Sequence, residues 1–323
     1  MQPLRGLLVV DLTRHLPGPF ASRELLRLGA RVVRLEAPDG DPLRGIAPEW
    51  DTALNAGKES VACDLKREPE LGRALCARAD VVLEGFRPGV AARLGVGPDD
   101  VPEHVVYCSL TGFGDEGRHI ARAGHDLNYL GWAGALADTA PALPPVQAAD
   151  LGSGGLAAVV EILAALLERE RTGSGARLTI SMTHGAHRFV AHRLAGEPIP
   201  RLLTGGLACY RIYATGDDRW LTVAALEPKF FARLCELLER PELIPLHMDP
   251  DAQERLAEEL AGILATRTLR DWLELFDGED VSVGPVATLR EAGRDFATDC
   301  YLEHRPAPAL GEHTEAWRRE LGL

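Results

Sequence analysis

The sequence predicts an α/β fold: a large domain with a parallel sheet and helices, followed by a smaller α+β domain. Three observations carry this. Short β-branched runs alternate with helical patterns through residues 7–110, and such alternation builds βαβ units with parallel strands. Turn residues punctuate the joints at Pro17-Gly18, at 38–42 and at Pro88-Gly89, where a fixed φ, a missing donor or a free backbone ends regular structure. Beyond Leu203-Thr204-Gly205-Gly206 the texture changes to two strand-like runs around a turn, then a long helical tract.

In chain order, strands are expected at 7–12, 32–35, 60–65, 81–84 and 105–110, with helices at 20–28 and 69–79. A long helix over 154–169 should stop at Gly173-Ser174-Gly175, because glycine readily takes the left-handed conformation that ends helices. A strand at 177–181 and a helix from Met182 follow. In the smaller domain, strands at 209–213 and 220–224 flank Thr215-Gly216-Asp217-Asp218, with helices from 227 to about 270. A strand at 281–286 and a helix at 312–321 close the chain, returning to the large domain. The expected domains are 1–184, 185–278 and 279–323.

Composition narrows the function. With 323 residues, 46% of them hydrophobic, the chain can bury a large core. Acidic side chains outnumber basic ones, 48 to 35, which argues against a nonspecific nucleic-acid binder. Cys63, Cys76, Cys108, Cys209, Cys235 and Cys300 are scattered with no C-x-x-C, so neither a disulfide framework nor a thiolate metal site is expected and a cytoplasmic location fits. Residues 1–12 lack the apolar run of a signal peptide. The most apolar stretch, 156–167, carries Glu161 and is too short to span a bilayer, so no membrane partner is expected.

Four segments bear chemistry. Gly112-Phe113-Gly114-Asp115-Glu116-Gly117 matches G-x-G-x-x-G after a strand, but no long helix pattern follows to meet a pyrophosphate, so a plain glycine turn competes with a dinucleotide site. Gly124-His125-Asp126-Leu127-Asn128-Tyr129 places a histidine at a helix opening, where it serves as a general base or the pair serves as a cap. Asp150 precedes Gly152-Ser153-Gly154-Gly155 and the most apolar helix. It is an N-cap, or a reactive carboxylate beside bare backbone N–H groups that could hold an oxyanion. Glu227 stands at a strand-to-helix joint before Pro228, a position that capping also explains. His184, His187 and His192 share a predicted helix without a carboxylate or cysteine cluster, so no metal is assigned.

The order of these segments resembles the class III CoA-transferase family, CaiB/BaiF type, and especially its α-methylacyl-CoA racemase branch. The resemblance spans nearly the whole chain. Its blocks are Leu16-Pro17-Gly18-Pro19-Phe20-Ala21, Leu28-Gly29-Ala30-Arg31-Val32-Val33-Arg34, Leu54-Asn55-Ala56-Gly57-Lys58, Cys63-Asp64-Leu65-Lys66, Glu84-Gly85-Phe86-Arg87-Pro88-Gly89-Val90, Leu110-Thr111-Gly112-Phe113-Gly114 and the His125 block. It implies that His125 and Asp150 face each other across the α-carbon of an acyl-CoA thioester, with Glu227 supporting the histidine. For the CoA moiety it implies Cys63, Asp64, Leu65, Lys66, Phe86, Arg87 and Arg93, with Gly124, Asp126 and Tyr129 alongside. No cofactor beyond that CoA moiety is implied, and the assembly implied is a homodimer of interlocked rings.

Racemisation removes a proton from one face of a planar enolate and returns one to the other, so it needs two acid/base groups and stabilisation of the oxyanion. In the CoA-transferases of the family the same aspartate is instead a nucleophile that forms an acyl anhydride. The His125–Glu227 pair favours proton transfer, as does the presence of only Gly205-Gly206 where transferases resembling the formyl-CoA enzyme have a longer glycine run. A noncatalytic acyl-CoA-binding protein and a nucleotide-dependent oxidoreductase are the readings outside this chemistry. Two departures bear on substrate. Ala37 stands where several racemases carry an arginine, leaving Arg34 or Arg44 to supply the charge, and the chain is shorter than typical racemases around 187–203 and 301–308.

Overall fold

The computed structural model describes residues 1–197, 199–296 and 306–323. These divide into one unit of Met1–Ala191 with Thr298–Leu323, and a second of His192–Ala297.

The larger unit is built on six strands: β1 (Leu8–Asp11), β2 (Arg31–Glu36), β3 (Glu59–Ala62), β4 (Val81–Glu84), β5 (Val106–Thr111) and β6 (Arg177–Ser181). Their spatial order is β3-β2-β1-β4-β5-β6 and every pairing is parallel. Successive side chains of a strand point to opposite faces, and both faces are covered here. Val9, Val32, Val81 and Leu83 pack with Leu25 and Ile162 on one side. Val10, Val33, Val61 and Val82 pack with Leu71, Leu75 and Trp317 on the other. This doubly covered state is why the strands read as continuous apolar runs. The strand order reverses between β1 and β4, and a parallel sheet of this kind opens a crevice beyond the carboxyl ends of the strands at that point.

The long helix is longer than its sequence pattern. A π-helical turn, Ala149–Leu156, runs directly into Ala157–Thr172, and Gly173 at φ +79° ends it. The continuous Ala149–Thr172 helix is therefore long and apolar enough to cross a membrane by length and composition, unlike the expected 156–167 stretch. Ala158 and Ile162 on its inner face are fully buried in the core under the sheet. The next helix, Met182–Val190, is capped by the Ser181 hydroxyl, which accepts from the His184 N–H at 3.3 Å.

The C-terminal helix Thr314–Leu321 lies against the edge strand β3. Trp317 is buried there and its indole N–H donates to Glu59 at 2.7 Å, while the Thr314 hydroxyl accepts from the Ala62 N–H at 3.0 Å. The edge is thus closed to further strand pairing.

The smaller unit has a three-stranded antiparallel sheet, β7 (Tyr210–Ala214), β8 (Trp220–Ala224) and β9 (Val283–Pro285). Helices Pro228–Leu237, Gln253–Leu264 and Leu269–Phe276 pack on it around Phe231, Leu260 and Trp272. Two expectations change. The strand expected at 281–286 forms, but it pairs with β8, because its register satisfies that edge. The smaller unit therefore includes the 279–296 stretch, and it starts at His192 rather than at 185. The shortening expected between 301 and 308 falls mostly outside the described residues.

Candidate active site

A cavity of about 740 Å³ opens at the carboxyl ends of the strands of the larger unit. Residues 12–15, 17 and 18 after β1, Ala37 after β2, residues 63–66 after β3, residues 85–87 after β4 and Leu110 of β5 line it, joined by Gly124, His125, Tyr129, Asp150 and Met182. Every one of these loops leaves the sheet on the side where the strand order opens the crevice.

The loop after β1 is held by buried polar contacts. The Lys58 ammonium donates to Pro19 O at 2.9 Å, to the Ser22 hydroxyl at 2.7 Å and to Asn55 Oδ1 at 2.9 Å. Burial pushes its amine down to about 8, against the pull of Asp11. Asp11 accepts from the Thr13 N–H at 2.9 Å and from the Ser22 hydroxyl. Together these fix the helix Pro17–Arg27 so that its N-terminal residues face the cavity. Gly18 is required here, since a Cβ would stand 2.0 Å from Thr13 Oγ1.

His125 and Asp150 both line the cavity, and the residue between them in role is Asp126. Its carboxylate accepts from the backbone N–H groups of Ala149 and Asp150 at 2.7 and 2.9 Å. It therefore caps the helix that carries Asp150, while His125, immediately before it, is the N-cap of Asp126–Trp132. The expected His-Asp capping pair is thus a tie between two distant segments. Asp126 is buried and lies outside the cavity lining, so its contribution is to position Asp150 and His125 together.

Asp150 is desolvated, and burial pushes its carboxyl up to about 7, with the negative charge of Asp126 adding to the rise. Tyr129 closes the same corner. Its hydroxyl donates to Gly124 O at 2.5 Å, its ring stands edge-on to Phe113 at 5.4 Å, and burial together with Asp150 raises it to about 12. Gly112 and Gly124 make room for that ring: a Cβ on either would lie 2.6 or 2.8 Å from Tyr129 Cε1.

This accounts for the Gly112–Gly117 spacing. It follows β5, not β1, and the first helix after it begins only at Asp126. The helix N-terminus that reaches it belongs to Met182–Val190, whose Thr183 N–H donates to Gly112 O at 3.0 Å, so the strand–turn–helix setting of a dinucleotide fingerprint is absent. The glycines after Asp150 also differ from expectation. Gly154 packs on Met182 and Gly155 on Phe20 and Pro17 O, so they bring helices together, and both lie past the first four residues of the helix, so their N–H groups belong to its own hydrogen bonding.

Of the expected CoA contacts, Cys63, Asp64, Leu65, Lys66, Phe86, Arg87, Gly124 and Tyr129 line the cavity, whereas Arg93 is exposed outside the lining. Arg34 and Arg44 do not take the place of an arginine at Ala37. Arg34 is buried against Asp51 at 2.7 Å and Asp41 at 3.2 Å, and Arg44 pairs with Glu36 at 2.7 Å. Arg14 instead lines the cavity beside Ala37, and Arg14, Lys66 and Arg87 make no ion pair among the described residues. Arg14 and His15 were missed by sequence reasoning; the strand order, which places the loop after β1 at the crevice, is the signal that finds them. Glu227 is exposed at the N-cap of Pro228–Leu237 in the smaller unit and makes no side-chain cap. His184 bonds the Ser181 hydroxyl and His187 the carbonyl of Ala133, and among the described residues no group of three His, Cys, Asp or Glu could hold a metal. Cys63, Cys76, Cys108, Cys209 and Cys235 are free and buried, and Cys300 lies outside the described residues.

The model of CoA-transferase family III matches residues 4–299. The chain belongs to this family. Among its relatives, the α-methylacyl-CoA racemase of Mus musculus is 35% identical over 99% of this chain and 93% of its own length. The succinyl-CoA:glutarate CoA-transferase of the same species is 32% identical over 90% and 73%. The crystal structure of Rv3272 from M. tuberculosis matches with a TM-score of 0.83 at 28% identity, covering 98% of this chain and 99% of that one. The family thus contains racemases and CoA-transferases of comparable similarity to this chain, and enzymes acting on acyl-CoA thioesters are its common ground.

Proposed function

We propose that the protein racemises or epimerises 2-methylacyl-CoA or related 2-substituted acyl-CoA thioesters by proton transfer between two bases. The observation that carries this is the pairing of His125 and Asp150 in one cavity, with the Asp150 carboxyl pushed up to about 7. A group that gains and loses its proton near neutral pH is suited to act as acid in one direction and base in the other. The α-proton leaves to one of the two residues, the electron pair moves to the thioester oxygen, and the other residue returns a proton to the opposite face. Glu227 is assigned the support of His125 on its Glu227-Pro228-Lys229-Phe230 block alone.

Arg14, Lys66 and Arg87 are the cations available to the phosphates of the CoA moiety, and arginine in particular meets phosphate in a bidentate fork. No further cofactor enters this chemistry. Exposed Trp132, Leu156, Val160, Leu167 and Phe189 leave apolar surface on the larger unit, which supports a homodimer; sedimentation or light scattering at twice the chain mass is the expected result.

The second reading is CoA transfer with Asp150 as nucleophile, favoured by the similarity to the succinyl-CoA:glutarate enzyme. Incubation of the protein with a single enantiomer of a 2-methylacyl-CoA in D₂O, with no acceptor carboxylate, separates the two. Deuterium at the α-carbon with loss of chirality is expected. An absence of exchange across a panel of acyl chains, with CoA transfer on adding a carboxylate acceptor, would establish the second reading.

A further inference from the structure

His15 has no place in the assignments above. It lines the cavity, and its φ of +66° puts a non-glycine residue in the left-handed region. The conformation is enforced from beneath. The His15 N–H donates to Asp41 Oδ2 at 2.9 Å, and buried Asp41 is itself fixed by the Leu43 N–H at 2.9 Å and the Arg34 guanidinium at 3.2 Å. Glycine would adopt this backbone with no steric penalty. An imidazole kept in a disfavoured conformation, in a cavity, is the kind of outlier that marks a functional position.

The imidazole stands edge-on to His125, with ring centroids 6.3 Å apart and planes at 81°. That separation leaves room for the reacting end of a ligand between the two rings, with its α-carbon toward His125 and its adjoining oxygen toward His15. The reaction needs a donor at that oxygen. Enolate formation places negative charge on the thioester oxygen, and the N–H groups expected to meet it are unavailable. Those of Ala149 and Asp150 are taken by Asp126, and those of Gly154 and Gly155 lie past the first four residues of that helix, within its own hydrogen bonding.

We propose that His15 is a catalytic residue whose ring N–H donates to the thioester oxygen while His125 and Asp150 serve the α-carbon. In the step it assists, the Cα–H bond breaks, the proton passes to one of the two bases, and the electron pair moves to the oxygen, which accepts the His15 N–H hydrogen bond. Nothing is oxidised or reduced. The inference rests on the acyl-CoA reading, and carboxylate attack would charge the same oxygen.

Two variants of the full chain test it. His15→Gly relieves the backbone and removes the imidazole; His15→Gln keeps an N–H donor. Each is assayed for α-deuterium exchange on a 2-methylacyl-CoA, and its binding of butyryl-CoA is compared by calorimetry with S-butyl-CoA, a thioether lacking the oxygen. Loss of one oxyanion donor lowers kcat about 10²-fold. That loss is expected for His15→Gly without a lower Tm, with at least partial recovery in His15→Gln, and the wild-type preference for butyryl-CoA should vanish in His15→Gly. A His15→Gly enzyme that keeps both its kcat and its ligand preference would overturn the inference. Should the wild type bind both ligands but exchange no proton, the racemase reading fails and the ligand preference still decides the role of His15. Should it bind neither, the acyl-CoA reading and this inference fall together.

Discussion

Asp126 and Asp150 meet at the start of one helix, and the fold treats them oppositely. Asp126 accepts two backbone N–H groups, so its buried oxygen is satisfied. Asp150 receives no side-chain hydrogen bond among the described residues, and burial together with the charge of Asp126 raises it to about 7. Both carboxyls read as N-caps in the sequence. What separates the structural one from the reactive one is whether its desolvation is answered by donors.

The comparison breaks first at Asp150. Asp150→Asn should lower the racemisation rate about 10³-fold, within the range for removing a positioned acid/base group, with an unchanged circular dichroism spectrum. An enzyme that racemises at the wild-type rate would reduce Asp150 to a cap.

Asp126 carries the next effect. Asp126→Ala orphans the N–H groups of Ala149 and Asp150 and should cost about 1–3 kcal/mol of stability in denaturant unfolding. Asp126→Asn keeps an acceptor but removes the charge, so the Asp150 pKa should fall and the limb of the kcat/KM profile near pH 7 should move to lower pH.

The raised Asp150 pKa also has a stability signature. Between the ordinary carboxyl value of 3.8 and about 7 the folded chain holds a proton that the unfolded chain has released, so this group's contribution declines as pH rises through that window. Asp150→Asn removes the decline. Its stability relative to wild type should therefore grow from pH 4 to pH 8, by on the order of 3 kcal/mol. A constant difference across that range would place Asp150 at an ordinary carboxyl value.

The smallest effects concern charge at the cavity wall. Arg14→Ala, Lys66→Ala and Arg87→Ala should each weaken CoA binding about tenfold, the worth of one charge-assisted hydrogen bond. Binding of an N-acetylcysteamine thioester, which has no phosphates, should not respond to the same changes.

The parallel sheet was legible because alternating β-branched runs and helical patterns are local features, and the His125, Asp150 and Glu227 blocks were legible as a resemblance. Strand order was not. Without it the glycine spacing after β5 drew attention, whereas the loop after β1, carrying Arg14 and His15, lines the site. The hydrogen bonds from Ala149 and Asp150 to Asp126 span more than twenty residues, and no local pattern announces such a contact. The same limit hid the fate of Arg34: its residue type suits a phosphate, but three carboxylates converge on it. The strand of the smaller sheet near Val283 was visible as a strand but not as a partner of β8, since pairing is decided by tertiary packing.

The measurement that bears most directly on two opposed bases follows α-hydrogen exchange in D₂O separately from each pure enantiomer of a 2-methylacyl-CoA, in His125→Ala and in Asp150→Asn. Each variant retains one base, so each should exchange one enantiomer only, and the two variants should choose opposite enantiomers while neither racemises. Exchange of the same enantiomer by both variants, or unimpaired racemisation by either, would contradict the assignment of His125 and Asp150 to opposite faces of the enolate.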